Sequence, residues 1–137
     1  MSKRIIDKIE EIEGYLQELN EIVPLNFEEY KSDFVKKAAC ERYFEKIIEA
    51  VVDLAFLTIK EKEFQAPEED KEAFDILFGE NIISRELSER IKDAKGMRNV
   101  IAHEYGKVDD EMVFNAVSEE LPKDASGFVR IIKRIVK

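Results

Sequence analysis

Cys40-Glu41-Arg42-Tyr43-Phe44-Glu45-Lys46-Ile47-Ile48-Glu49-Ala50-Val51-Val52-Asp53-Leu54-Ala55-Phe56-Leu57-Thr58-Ile59 is the stretch that decides the fold. Cys40, Phe44, Ile47, Val51 and Leu54 recur at steps of three and four, and Ile48, Val52, Ala55 and Ile59 form a second stripe beside them. Such spacing puts each set on one side of an α-helix. Two adjacent stripes make an apolar face too wide for a single neighbour. The pattern therefore predicts a central helix, from Phe27 to about Phe64, in an all-α protein.

Outward from this helix the pattern stays helical. Residues 4 to 23 carry Ile5, Ile9, Ile12, Leu16, Leu19 and Val23 on one stripe, and Pro24 ends the run. Asn26 reads as an N-cap, with Glu29 as its capping-box partner. After a break at Ala66-Pro67, Asp70 to Phe78 reads as a short helix closed by Gly79. A further helix runs from about Ile82 to His103 and stops at Gly106. Asp109 to Leu121 reads as another, with Pro122 marking its boundary. The last helix holds Phe128, Ile131, Ile132 and Ile135, together with Lys123, Arg130, Lys133, Arg134 and Lys137. No strand-period alternation persists. The expectation is an up-and-down bundle of four main helices with short additional ones, forming one domain over residues 1–137.

Composition narrows the function. The 137 residues carry a formal net charge of −9, from 31 acids against 22 bases. Such a surface does not attract nucleic acid at long range. No apolar run is long enough for a membrane span, and the N-terminus shows no signal-peptide pattern. Cys40 is the single cysteine, which points to a reducing, cytoplasmic setting. One histidine and one cysteine far apart give no nitrogen–sulfur metal cluster, and the acids between Glu61 and Glu80 read as a solvated charge run. No phosphate-binding glycine loop, nucleophile elbow or dinucleotide fingerprint is present, so no cofactor is expected.

The chemistry concentrates in Met97-Arg98-Asn99-Val100-Ile101-Ala102-His103-Glu104-Tyr105, which holds the sole histidine. Leu87, Ile91, Ala94, Arg98, Ile101 and Tyr105 share a helical stripe, so Arg98 stands where an apolar residue belongs. A charge in that place needs a partner or a ligand. His103 lies five residues on, roughly 140° around the axis, on a stripe with Gly96 and Asn99. A long arginine and an imidazole near a helix end can converge on one cleft, and Gly96 leaves room for close approach. Two plainer readings stand beside this one. His103 could cap a helix C-terminus, and Arg98 could pair with a carboxylate from a neighbouring helix.

The segment Gly96–Tyr105 resembles the signature of the HEPN superfamily, in the RxxxxHxY form carried by HepT-like toxins of prokaryotic toxin–antitoxin pairs. Val108-Asp109-Asp110-Glu111-Met112-Val113-Phe114 resembles the family's segment downstream of that motif, and Glu41–Ala50 resembles its long helix. The likeness runs from the first helix to the last. It implies a small α-helical protein that forms a homodimer, with Arg–His pairs facing each other across the dimer cleft to cut RNA without metal. It implies a minimal nucleotidyltransferase as antitoxin partner, able to attach AMP to the motif tyrosine. By this match Arg98 and His103 are the catalytic pair, Asn99 supports them, and Tyr105 is the modification acceptor. The acidic net charge departs from what RNA binding favours. A basic groove would come from Lys95, Arg98, Lys107 and the C-terminal helix.

The expected reaction is transesterification by the RNA 2′-hydroxyl, with His103 moving protons and Arg98 stabilising the phosphorane. The alternative is a non-catalytic binding partner and AMPylation substrate of a nucleotidyltransferase antitoxin. A bare structural bundle would leave the placement of Arg98 without a reason.

Overall fold

The computed structural model describes residues 2–103 and 108–136. Among these the fold is all-α, with helices α1 (Lys3–Ile22), α2 (Phe27–Ser32), α3 (Phe34–Glu61), α4 (Asp70–Gly79), α5 (Arg85–His103), α6 (Asp110–Asn115) and α7 (Leu121–Ile135). A π-helical turn, Ala116–Glu120, joins α6 to α7.

The central role expected of the Cys40–Ile59 stretch holds. Cys40, Phe44, Ile47, Leu54 and Ala55 are fully enclosed, and α3 packs against α1, α4, α5 and α7. α1 lies along it and buries Ile5, Ile9, Ile12 and Leu19. Truncating any of these large side chains to alanine costs about 2–5 kcal/mol.

The helix expected from Phe27 to Phe64 is two helices. Asp33 adopts an extended backbone, and its carboxylate accepts the Lys36 N–H at 3.1 Å, capping α3. An aspartate that can satisfy a free N–H competes with helix continuation, so the chain turns there. α2 is capped as expected by Asn26, which accepts from the Glu29 N–H at 2.9 Å. The Glu29 carboxylate reaches back one residue further than a capping box requires, to the Leu25 N–H at 3.4 Å. Phe27, Tyr30 and Phe114 join α2 to α6 through ring centroids 5.3–6.5 Å apart.

Two helix ends use the left-handed region without glycine. At the end of α3, Glu63 takes φ 58°, and the Glu63 and Phe64 N–H groups donate to the carbonyls of Lys60 and Ile59. At the end of α4, Asn81 takes φ 62° and Ile82 donates to Leu77. Both are Schellman closures. Gly79, expected to close α4, is instead its last helical residue; Asn81, whose short polar side chain tolerates this backbone, makes the turn.

Pro122 does not mark a boundary. From Asp110 to Ile135 the chain stays helical. The widened turn lets the Leu121 N–H donate to the carbonyl of Ala116, five residues back, and Pro122 follows at the start of α7. Proline lacks an N–H and crowds the carbonyl four residues before it, and a π-turn relieves both. Counted this way, α1, α3, α5 and the α6–α7 rod are the four main helices, with α2 and α4 as short additions.

Candidate active site

α5 carries the Arg–His segment. Its start is set by Ser84, whose hydroxyl accepts from the Leu87 N–H at 3.1 Å. Leu87, Ile91 and Ile101 are buried, and the buried Ser88 hydroxyl donates to the Phe74 carbonyl on α4 at 3.3 Å. These anchors fix the rotation of α5 about its axis, and with it the direction of Arg98.

Arg98 lies on the buried side, as its stripe position demanded, with its side chain 19% exposed. Its Nη2 donates to Oε1 of Glu49 on α3. Nη1 makes a long contact of 3.4 Å to Asn99 Oδ1, and Nε is buried without a hydrogen-bond acceptor among the described residues. Of the two plainer readings, pairing of Arg98 with a neighbouring carboxylate is present in the structure, and His103 stands in the last turn of α5. Glu49 was not singled out in the sequence. Its signal was present in Glu41, Glu45 and Glu49, which recur every four residues along the flank of the α3 core stripe.

Asn99 is exposed and also receives Lys95 Nζ at 3.5 Å, while Lys95 pairs with Asp70 on α4 at 3.1 Å. A polar chain thus runs from Asp70 through Lys95, Asn99 and Arg98 to Glu49, linking α4, α5 and α3. His103 is the last residue of α5 and is exposed. The expected acceptor Tyr105, the helix stop at Gly106 and the basic Lys107 lie outside the described residues.

Space is open at Gly96, where an added Cβ would meet only Lys71 Nζ, at 3.7 Å, among the described residues. One expectation changes. The basic end of α7 does not join Arg98. α7 runs antiparallel to α5: Arg90 meets Asp124 at 2.9 Å, whereas Met97 shares a cavity with Ala116. Residues 130–134 are thereby carried away from the Arg98 end, and Lys133 pairs with Glu13 on α1 at 2.8 Å.

Beside this segment lies an open apolar groove of about 420 Å³, lined by Gly96, Met97, Val100, Ile101, Val108 and Met112 among others. Met112 is 55% exposed there. No group of three His, Cys, Asp or Glu side chains suited to a metal ion gathers among the described residues. Among the same residues, no helix is long and apolar enough to cross a membrane.

Comparison with known proteins gives a consistent picture. The model of the ribonuclease HepT-like family matches residues 12–131. The mRNA nuclease HepT of Shewanella oneidensis is 25% identical over 133 residues, covering 97% of this chain and 98% of that protein. The tRNA nuclease HepT of Aphanizomenon flos-aquae is 29% identical over 111 residues, covering 81% of this chain and 76% of that protein. A solved structure of a tri-AMPylated Shewanella oneidensis HEPN toxin in complex with its MNT antitoxin shares the fold. Its TM-score is 0.90 at 24% identity, over 98% of this chain and 99% of that one.

Proposed function

The chain belongs to the ribonuclease HepT-like family, and from that premise we propose that it is the endoribonuclease toxin of a toxin–antitoxin module. The observation that carries this reading is Arg98 on the covered face of α5, five residues before the exposed, helix-terminal His103. Residues 1–137 act as one domain, and two copies form a homodimer in the cytoplasm. The apolar groove along Met97, Val100 and Met112 supports a contact between copies. The antitoxin is a minimal nucleotidyltransferase that transfers AMP to Tyr105.

The chemistry needs no metal. The RNA 2′-oxygen attacks the adjacent phosphorus while its proton passes to the neutral imidazole of one subunit's His103. The 5′-oxygen leaves with a proton from the protonated His103 of the second subunit. Arg98 holds the negative charge that builds on the phosphorane, and Asn99 supports the guanidinium. The products are a 2′,3′-cyclic phosphate and a 5′-hydroxyl. Dependence on the 2′-hydroxyl confines the substrate to RNA.

The test is cleavage of total RNA by purified protein with EDTA present. Arg98→Ala and His103→Ala are each expected to lower the rate by roughly 100-fold or more, with helical circular dichroism unchanged. Full activity in His103→Ala overturns the mechanism, and loss in EDTA points to a metal. A non-catalytic partner of the nucleotidyltransferase is the second reading, favoured by the acidic net charge of −9. Its signature is AMP transfer by the nucleotidyltransferase without any RNA cleavage by the chain.

A further inference from the structure

We infer that Glu49 is a gate on Arg98: its carboxylate occupies the guanidinium in the free subunit and gives way only when a substrate phosphate arrives. The inference rests on the proposed role of Arg98 in holding an RNA phosphate. Arginine recognises phosphate best through two parallel N–H donors. In the free subunit Nη2 is taken by Glu49, Nη1 leans on Asn99 and Nε is covered. With Nε covered, a phosphate must take the Nη1–Nη2 edge, where it competes with the Glu49 carboxylate for Nη2.

The exposure of the two partners sets the order of events. The Glu49 side chain is 43% exposed against 19% for Arg98. The carboxylate is therefore the outer member of the pair, and an anion approaching from solvent meets repulsion before attraction. Among the described residues, the neighbouring acids do not share the task. Glu45 is turned to Arg42 at 3.3 Å, and Asp70 is held by Lys95 at 3.1 Å. Glu49 can be exchanged without loss of α3, because Ile47, Ile48, Ala50 and Val51 around it are buried and hold the helix. A partly exposed ion pair is weak enough to be displaced by a doubly bonded phosphate.

The gate can be tested apart from cleavage. Binding of a fluorescent single-stranded RNA is measured by anisotropy in the His103→Ala background, with and without Glu49→Gln. The amide keeps the shape and removes the charge. Affinity is expected to rise roughly fivefold, the upper range for one partly exposed pair. The slope of log affinity against log salt should steepen by about 0.7, the share of one phosphate on a single strand. Both changes should vanish when Arg98→Ala is added. In the cleaving protein Glu49→Gln should lower KM with kcat unchanged, and Glu49→Asp should restore the wild-type KM. Equal or weaker RNA binding in Glu49→Gln overturns the gate, as does a fall in kcat, which would make Glu49 a positioning residue for Arg98. If the wild-type protein cleaves nothing but Glu49→Gln still tightens binding through Arg98, the gate stands and the nuclease reading falls.

Discussion

At the residue scale, two side chains make separable demands. Glu41 lies half-buried on α3, and burial, with Asp110 and Glu45 nearby, raises its carboxyl above the ordinary range despite the opposing pull of Lys37. A raised folded pKa means that the native state pays for ionisation at neutral pH. That penalty is complete above the folded pKa and disappears below the unfolded value of about 4.3. Glu41→Gln is therefore expected to raise Tm at pH 7 and to leave it nearly unchanged at pH 4, as followed by circular dichroism melting. An equal gain at both pH values would remove ionisation as the cause. Tyr105 makes a chemical demand instead. Incubation with ATP, magnesium and a cognate nucleotidyltransferase should add AMP, seen as intact mass, and Tyr105→Phe should abolish the addition. Mass gain that persists in the variant would move the acceptor elsewhere.

At the element scale, the end of α3 stores a small strain. Glu63 holds φ 58° in a Schellman closure that glycine adopts freely. Glu63→Gly should stabilise the protein by about 1 kcal/mol, less the backbone freedom that glycine adds to the unfolded chain. Urea denaturation with an unchanged slope would register it, and a destabilisation would show that the side chain contributes more than the backbone costs. Helix boundaries divide by how local their causes are. Asn26 capping α2 and Pro24 ending α1 are legible because each acts on the next few N–H groups. Asp33 is hidden because apolar residues continue past it on both sides. Pro122 misleads because its effect depends on whether the preceding turn can widen, which neighbouring packing decides. The Arg98 stripe position is legible, whereas its partner Glu49 is not, because only the docking of α5 on α3 brings residues 49 positions apart together.

At the scale of the whole molecule, the wide α3 face dictates the bundle, since a helix apolar on two stripes must be surrounded. The groove beside Gly96 and Met112 is a part of the surface that the described residues leave uncovered. Sedimentation equilibrium at micromolar concentration should give twice the 16.0 kDa chain mass, and Met112→Glu should shift it toward the monomer. A wild-type monomer would refute the dimer, and an unaffected dimer would move the contact off this groove. The central helix has a last consequence. Cys40 is the only thiol, fully enclosed on α3, and burial pushes it up to about 11. A thiol so placed stays protonated and out of reach of alkylating reagents while the bundle is intact. The chain thereby carries its own clock: the rate at which Cys40 becomes alkylated in native buffer reports how often the protein opens, with no reporter residue introduced.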